Sequence, residues 1–311
     1  MTRHSVPAVC FLLICASSSL VLAQTPPSQV VVFGDSLSDP GNGFAFVKES
    51  STPPDYGVNP LLVPIAPYAR GGHHLTNGPT WIEQLAGSLR LERSALPAFV
   101  GSNPFAMNFA IGTTRARVDG SNPSLSLQVG AFLQKVGGQA PEDALYVIEV
   151  GANDVRDALA SGNPGEALAI LQAAAAAIGE NITVLYASGA RHFLVWNVPD
   201  AGLTPAARLS GATAEATLAT QSFNALLAAE LTPLFMSGVD ITPFDANGLI
   251  TAIVAAPGVY GLTDVTDACI TPNRPPFTCQ TPDAYLFWDG IHPTTAAHAL
   301  VAQAAAIALG F

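Results

Sequence analysis

Basic residues are scarce in this sequence. Its 311 residues include 12 lysines and arginines against 23 aspartates and glutamates, which gives a formal net charge of −11 at pH 7. Lys48 and Lys135 are the only lysines, so the chain has no polybasic patch. An acidic surface of this kind repels nucleic acid and anionic lipid head groups. The composition therefore excludes nucleic acid as a partner.

Cysteine is also rare, with four in the whole chain. Cys10 and Cys15 lie in an apolar N-terminal stretch, which leaves Cys269 and Cys279 in the remainder. An even pair in an exported chain predicts a disulfide, and the short loop that it closes implies a modest stabilisation. Metal binding is the other use of paired cysteines, but the further ligands that it needs are not nearby in the sequence.

Residues 1–23 have the organisation of a secretory signal. Arg3 gives a basic start, an apolar stretch covers 6–22, and the segment ends in the small-residue cleavage site Val-Leu-Ala. The stretch is short for a bilayer span, and no basic stop-transfer cluster follows it. We therefore expect a cleaved leader and a secreted or periplasmic protein with no transmembrane segment. The mature residues 24–311 carry a net charge of −12, because Arg3 is lost with the leader.

Short apolar runs alternate with helical stretches through the mature chain, without an internal repeat or a linker between domains. Predicted strands cover 29–33, 105–111, 145–150, 192–197 and 239–244. Predicted helices cover 81–91, 164–188, 213–235 and 295–309. This alternation indicates a single α/β domain with a parallel sheet and helices on both faces. Stretches rich in turn residues, at 38–77, 199–210 and 246–284, are predicted to be loops that border the site or surface connections.

The predicted strand at 29–33 runs into the sequence GDSLSD, which begins at Gly34. Gly34 permits a sharp turn, and Ser36 then stands where a helix is expected to begin, at the carboxyl end of a central strand. That helix N-terminus would present N–H groups and a positive dipole end to a developing oxyanion. An ordinary helix cap would give the same short motif. Ser36 is thus a candidate nucleophile, while Asp35 and Asp39 are predicted to cap turns.

The sequence DGIHPT at 289–294 directly precedes the last predicted helix. A serine hydroxyl needs a base to become a good nucleophile, and histidine titrates near neutral pH. Asp289, three residues before His292, would hydrogen-bond the far ring nitrogen and fix its tautomer. A helix-start aspartate beside a surface histidine is the simpler interpretation. The presence of Ser36 favours His292 as the general base and Asp289 as the residue that orients it.

Two other predicted strands end in groups that stabilise negative charge. Asn153 follows one strand within the sequence GAND, and its side-chain amide would donate to an oxyanion. Gly112 follows another within NFAIGT, where a glycine lets the backbone approach closely and donate an N–H group. Either segment by itself is also typical of a plain strand-to-loop turn.

Taken in order, these blocks resemble the GDSL or SGNH hydrolase family, whose Ser, Gly, Asn and His correspond to Ser36, Gly112, Asn153 and His292. The resemblance covers nearly the whole mature chain. Similarity to the plant-lipase-like branch extends to TNGPTWIEQLA at 76–86, GARHFLV at 189–195, GLTP at 202–205 and YLFWDGIHPT at 285–294. It implies a flavodoxin-like three-layer α/β/α sandwich with a five-stranded parallel sheet. It also implies activity on carboxylic esters of small molecules or lipids, without a cofactor.

One position departs from that branch, which usually reads N-F-A-x-G-G where this chain has Thr113 as the last residue. The backbone N–H survives this change, but a side chain there would narrow the pocket or require a less strained turn. The resemblance implies an oxyanion hole built from the N–H groups of Ser36 and of Gly112 or Thr113, with the side chain of Asn153. Ser36 would attack the ester carbonyl and form an acyl-enzyme, which water then hydrolyses.

Three other functions share parts of this pattern. Metallophosphoesterases also contain G-D-x-x-x-D and G-x-N-D strings, but two-metal sites need several His and carboxylate ligands. Here His73 and His74 are predicted to be loop residues, and His192 and His298 to be structural. A non-catalytic binding protein of this fold would have lost a reacting residue, whereas each block retains its own. Acyl transfer or lysophospholipase activity would use the same residues as ester hydrolysis.

Overall fold

The computed structural model of the protein describes residues 26–47, 74–270 and 278–311. The predicted leader, most of the first predicted loop and His73 lie outside these described residues.

A parallel sheet of four strands forms the centre of the described fold. The strands are β1 (Val30–Gly34), β2 (Leu145–Glu149), β3 (His192–Trp196) and β4 (Asp240–Phe244), and they lie side by side in chain order. β1 and β2 are buried along their whole length. Their continuous apolar sequences fit a sheet that is covered on both faces.

Helices cover both faces of this sheet. In the described residues they are α1 (Asn42–Val47), α2 (Trp81–Ser88), α3 (Leu125–Lys135), α4 (Ala152–Ala160), α5 (Pro164–Ala187), α6 (Pro205–Ser210), α7 (Thr213–Met236), α8 (Ala246–Ala255) and α9 (Thr295–Ala308). Alternate strand residues enter two separate cores. Phe33 and Tyr146 pack with α3, α4, α5 and α7, whereas Val32 and Val147 pack with α2, α8 and α9. The predicted α/β/α architecture is therefore confirmed.

The longest described helices, α5 and α7, have 24 residues each and pack against one another. α5 begins sharply because Asn163 accepts the N–H groups of Gly165 and Glu166, and Pro164 occupies the first turn. Its length and mean hydropathy of 1.6 would allow it to cross a membrane. However, 44% of its most apolar window is buried inside the protein, where the helix packs against α7.

The predicted five-stranded sheet is wrong by one strand, since residues 105–111 do not form a strand of their own. This segment runs beside β1, and Val32 exchanges hydrogen bonds with Met107 and Phe109. Between those two bonds, the Asn108 N–H turns away to the carbonyl of Leu96. The Asn108 carbonyl also accepts from the side chain of Asn42. The Gly34 N–H, which would continue the ladder to the Phe109 carbonyl, donates instead to the Gln128 side chain at 2.9 Å, so the pairing stays an isolated bridge between Val32 and Asn108.

The predicted loop at 246–284 contains more structure than expected. It holds α8 and a strand, β5 (Asp264–Ala268), which pairs in parallel with β6 (Tyr285–Phe287). The predicted disulfide is confirmed, with an S–S distance of 2.04 Å between Cys269 and Cys279. The Cys269 N–H also donates to the Phe287 carbonyl, so the bridge lies next to the segment that leads to His292.

Candidate active site

Ser36 lies in a tight turn immediately after β1. A side chain at Gly34 would place its Cβ 2.8 Å from the Glu149 carbonyl oxygen, so the strand can end here only with glycine. Asp35 then closes the turn, because its carboxylate accepts the Leu37 N–H at 3.1 Å and its carbonyl accepts the Ser38 N–H. The helix expected at Ser36 is absent, since the next helix, α1, starts only at Asn42. The positive helix end that was expected at Ser36 itself is therefore not present.

Ser36, His292 and Asp289 form one chain of hydrogen bonds. The Nε2 atom of His292 lies 2.9 Å from the Oγ atom of Ser36, and its Nδ1 atom lies 2.6 Å from Asp289 Oδ2. Asp289 is fully buried and His292 is 4% exposed. A buried carboxylate at Nδ1 favours the tautomer that carries its proton there, which leaves Nε2 free to accept the serine proton.

The short segment between β6 and α9 holds this histidine in place. The second carboxylate oxygen of Asp289 accepts the N–H groups of Ile291 and His292 at 2.8 and 2.7 Å. The Trp288 N–H donates to the carbonyl of His292, and Thr294 caps the first turn of α9. The D-x-x-H spacing therefore lets one aspartate fold the turn and orient the imidazole at the same time.

Asn153 lies in the first turn of α4, beyond the carboxyl end of β2. Gly151 makes the turn with a φ of 128°, and a Cβ there would lie 2.5 Å from the ring of Phe223. The Asn153 amide group donates to the Thr114 carbonyl at 3.0 Å, and its Oδ1 atom accepts from Arg156 at 3.1 Å. The side chain is buried, and these partners on both sides fix which end of the amide is the donor.

The turn at Gly112 and Thr113 contains a strained residue. Thr113 has a φ of 68°, in the left-handed region that β-branched residues rarely adopt. Arg115 donates to the Thr113 carbonyl at 2.6 Å and pairs with Asp157 of α4. Of the two expected consequences of a side chain here, a narrowed pocket or a less strained turn, the second is not observed, because Thr113 keeps a left-handed backbone.

Asp39 connects this turn to the Ser36 segment. Its Oδ2 atom accepts the Gly112 N–H at 2.7 Å and the Gly43 N–H at 2.9 Å. Its Oδ1 atom accepts the N–H groups of Gly41 and Asn42. The expected turn-capping role of Asp39 is confirmed. The bond to Gly112 could not be predicted, since 73 residues separate the partners.

Several buried ionisable groups lie around the site. Burial raises the pKa of Asp35 to about 6, and burial followed by the charge of Asp35 raises the pKa of Glu149 well above its usual value. Burial also raises the pKa of Asp39 to about 6, although four N–H groups oppose this shift. Burial, followed by the nearby histidines His292 and His74, lowers the pKa of His298 to about 3. The sequence did not indicate a role for Glu149, because this residue lies within an otherwise apolar predicted strand.

A cavity of about 440 Å³ opens beside Ser36 and His292, at the carboxyl ends of the four strands. This is where open α/β sheets bind ligands. Most of its lining is apolar, including Leu37, Leu159, Val198, Ile250, Leu286 and Val301. Asn153 and Arg156 supply polar groups to the same wall. In residues 26–47, 74–270 and 278–311, no group of three or more His, Cys, Asp or Glu side chains is placed to hold a metal ion.

Comparison with known proteins adds independent information. The chain is 27% identical over 325 residues to the phosphatidylcholine-sterol acyltransferase of Aeromonas hydrophila, covering 90% of this chain and 89% of that protein. It is 29% identical to an acetylesterase of Thermothelomyces thermophilus, covering 89% and 86% of the two chains. It is 28% identical to esterase EstA of Pseudomonas aeruginosa, covering 97% of this chain and 50% of that protein. The chain therefore spans about half the length of some curated relatives and most of the length of others.

A family model agrees with the motifs and the geometry described above. The model of the GDSL-like lipase/acylhydrolase family matches residues 30–305, which include every block from Ser36 to His292. With this match across almost all of the described fold, the chain belongs to the GDSL-like lipase/acylhydrolase family.

Proposed function

We propose that this protein is an exported serine esterase that hydrolyses carboxylic esters through an acyl-enzyme on Ser36. The observation that carries the proposal is the continuous hydrogen-bonded chain from Ser36 Oγ through His292 to Asp289, with distances of 2.9 and 2.6 Å. Activation of a serine requires a base within hydrogen-bond reach and a group that orients that base.

In the proposed reaction, Ser36 Oγ attacks the ester carbonyl carbon while His292 Nε2 accepts the hydroxyl proton. The imidazolium that forms is stabilised by Asp289. Collapse of the tetrahedral intermediate breaks the bond to the alcohol, which leaves with the proton from His292. Water then repeats these steps on the acyl-enzyme, releases the carboxylic acid and restores Ser36.

The hydrogen bonds favour Thr113 over Gly112 as an oxyanion donor. The Gly112 N–H already donates to Asp39. In the part of the chain that the structure describes, the N–H groups of Ser36 and Thr113 have no acceptor. Unpaired N–H groups near a nucleophile are available for a developing negative charge. We therefore assign the oxyanion hole to the amides of Ser36 and Thr113 together with the side chain of Asn153. One N–H group of this side chain donates to the Thr114 carbonyl at 3.0 Å, while the second makes only a long contact of 3.4 Å with Asp35 Oδ2.

The cavity supports an apolar acyl group as the part of the substrate that is buried. Its volume of about 440 Å³ lies within the usual range for small-molecule sites, and its apolar walls would exclude water around a hydrocarbon chain. The chain's net charge of −11 disfavours binding to strongly anionic surfaces, such as aggregates of anionic lipid.

Acyl transfer is the second candidate, because the chain is similar along most of its length to an acyltransferase. The same acyl-enzyme would then pass its acyl group to an alcohol in place of water. Adding a primary alcohol during ester hydrolysis and quantifying the new ester separates the two. A transferase forms mainly new ester, while a hydrolase forms mainly free acid.

Two features support export. The N-terminal residues 1–23 have the pattern of a leader, and the disulfide between Cys269 and Cys279 is of a kind that persists in oxidising compartments. Expression with the native N-terminus, followed by mass determination of protein from the medium and the periplasm, tests this. A mature protein that begins at Gln24 is expected, and an uncleaved cytosolic product would contradict it.

The nucleophile is tested directly by labelling with a fluorophosphonate, which reacts with activated serines. Peptide mass spectrometry is expected to find the label on Ser36, and the variant His292→Ala is expected to label far more slowly. Efficient labelling of another serine, or none on a folded protein, would contradict the proposed role of Ser36.

A further inference from the structure

One cationic side chain in the cavity has no assigned role. Arg156 of α4 lines the cavity together with Ser36 and His292. Arg156 is also an exposed residue, so it stands at the mouth of the cavity. Because most of the remaining lining is apolar, a guanidinium is a strong local feature.

The carboxylates on the same helix do not neutralise Arg156. Asp154 pairs with Arg117, and Asp157 pairs with both Arg115 and Arg117. Among the described residues, no carboxylate forms an ion pair with Arg156 itself. The other arginines of this region are therefore occupied, while the charge of Arg156 remains available.

The only hydrogen bond of the Arg156 side chain to a described residue goes to Asn153, a proposed donor to the oxyanion. Nη1 donates to Asn153 Oδ1 at 3.1 Å, which leaves most of its five N–H donors without a partner in the described part of the chain. A planar array of this kind matches the oxygens of a carboxylate or phosphate. Since Arg156 contacts Asn153, an anion bound to Arg156 would lie beside the proposed oxyanion hole.

From these observations, and on the basis of the proposed esterase function, we propose that Arg156 forms a subsite for an oxyanion carried by the substrate close to the ester. The chemical class is a carboxylate or a phosphate group. It belongs either to the acyl part, as in a half-ester of a dicarboxylic acid, or to the alcohol part, as in a glycerophosphate ester. The apolar cavity then holds the hydrocarbon portion.

Two matched substrate pairs test this subsite and locate the anion. The first pair is p-nitrophenyl valerate and mono-p-nitrophenyl glutarate, which differ by a carboxylate in the acyl part. The second is monooctanoylglycerol and monooctanoylglycerol 3-phosphate, used below the concentrations at which they aggregate, which differ by a phosphate in the alcohol part. For each pair, the measured quantity is the ratio of kcat/KM for the anionic ester to that for the neutral ester.

In the variant Arg156→Gln, we expect this ratio to fall by about ten- to hundredfold in at least one pair, because charge-assisted hydrogen bonds are lost. The loss should appear mainly in KM for the anionic ester, and Arg156→Lys should restore part of it. Arg208→Gln is the matched control, since Arg208 is an exposed arginine of α6 that does not line the cavity. Its ratios should equal those of the wild type.

The use of a ratio separates this proposal from a positioning role for Arg156. If both esters of each pair lose the same factor in kcat, Arg156 only orients Asn153 and the subsite is wrong. An unchanged ratio in both pairs also overturns it. If the wild type hydrolyses none of the four esters, the proposed esterase function fails instead.

Discussion

The Gly112 N–H lies 2.7 Å from Asp39 Oδ2, so one hydrogen bond joins the segment that carries Ser36 to the turn that carries Thr113. Four backbone N–H groups converge on this single buried carboxylate. The nucleophile and the proposed oxyanion donor are thereby held in one rigid unit, although they belong to distant parts of the sequence.

Replacement of this carboxylate should therefore damage both stability and activity. In Asp39→Asn, an amide NH₂ must face N–H groups that need an acceptor, so the free energy of unfolding should fall by about 2–4 kcal/mol. Denaturant unfolding measures this loss, and kcat should fall together with it. Asp283→Asn, on the surface, is the control and should change neither. Wild-type stability in Asp39→Asn would show that the four contacts do not act as described.

Thr113→Gly should stabilise the protein. Glycine adopts a positive φ without the steric cost that a β-branched residue bears, so we expect a gain of about 1 kcal/mol. Activity should persist, since the backbone N–H remains. Thr232→Gly, at an exposed position within α7, should instead destabilise by roughly 0.3–0.5 kcal/mol. An equal loss of stability in Thr113→Gly and Thr232→Gly would show that the backbone strain at Thr113 has no energetic consequence.

Asn153→Ala tests the proposed oxyanion role of this side chain. Loss of one donor to the transition state should lower kcat by about 10²–10³-fold, with a much smaller effect on KM. The control is Asn163→Ala, which removes the cap of α5 and should reduce stability by about 1 kcal/mol without a comparable loss of rate. Full activity of a folded Asn153→Ala protein would remove Asn153 from the mechanism.

The buried carboxyls Asp35 and Glu149 predict an unusual pH dependence of stability. Their raised pKa values mean that the folded protein keeps protons that the unfolded chain releases. The free energy of unfolding should therefore fall as pH rises above about 4, through about 6 for Asp35 and further for Glu149. Glu149→Gln removes one of these titrating carboxyls. The slope of the free energy of unfolding against pH should then flatten by up to about 1.4 kcal/mol per pH unit. Unfolding curves across this range measure it. Glu180→Gln, an exposed change, should keep the wild-type slope, and an equal slope in Glu149→Gln would contradict the account.

The disulfide should stabilise the segment next to His292. Replacing Cys269 and Cys279 together by serine should lower the free energy of unfolding by about 2–3 kcal/mol, as expected for a loop of this length. A moderate fall in kcat should accompany it, because Cys269 and Ile270 hydrogen-bond to Phe287 and Trp288, directly before Asp289. Thermal unfolding with and without reductant provides the measurement. A wild-type midpoint unaffected by reduction would contradict this role.

Local patterns in the sequence were sufficient to predict much of the fold and of the site. Strands such as β2 are short apolar runs, and the site residues follow them directly. The predictions that failed concern features that depend on contacts between residues far apart in the sequence. The segment around Asn108 has the composition of a strand, but the Gln128 side chain of α3 accepts the Gly34 N–H that would continue its pairing with β1. Similarly, nothing close to Gly112 in sequence indicates that Asp39 occupies its N–H.

The central claim is that Ser36 carries the acyl group, and one kinetic comparison tests it most directly. The measurement is kcat/KM for p-nitrophenyl esters from acetate to palmitate, with the wild type, Ser36→Ala and the control Ser188→Ala, a half-buried serine that does not line the cavity. We predict that Ser36→Ala loses about 10⁴-fold or more on every ester that the wild type hydrolyses, while Ser188→Ala retains wild-type rates. Comparable rates for Ser36→Ala and the wild type would contradict the account.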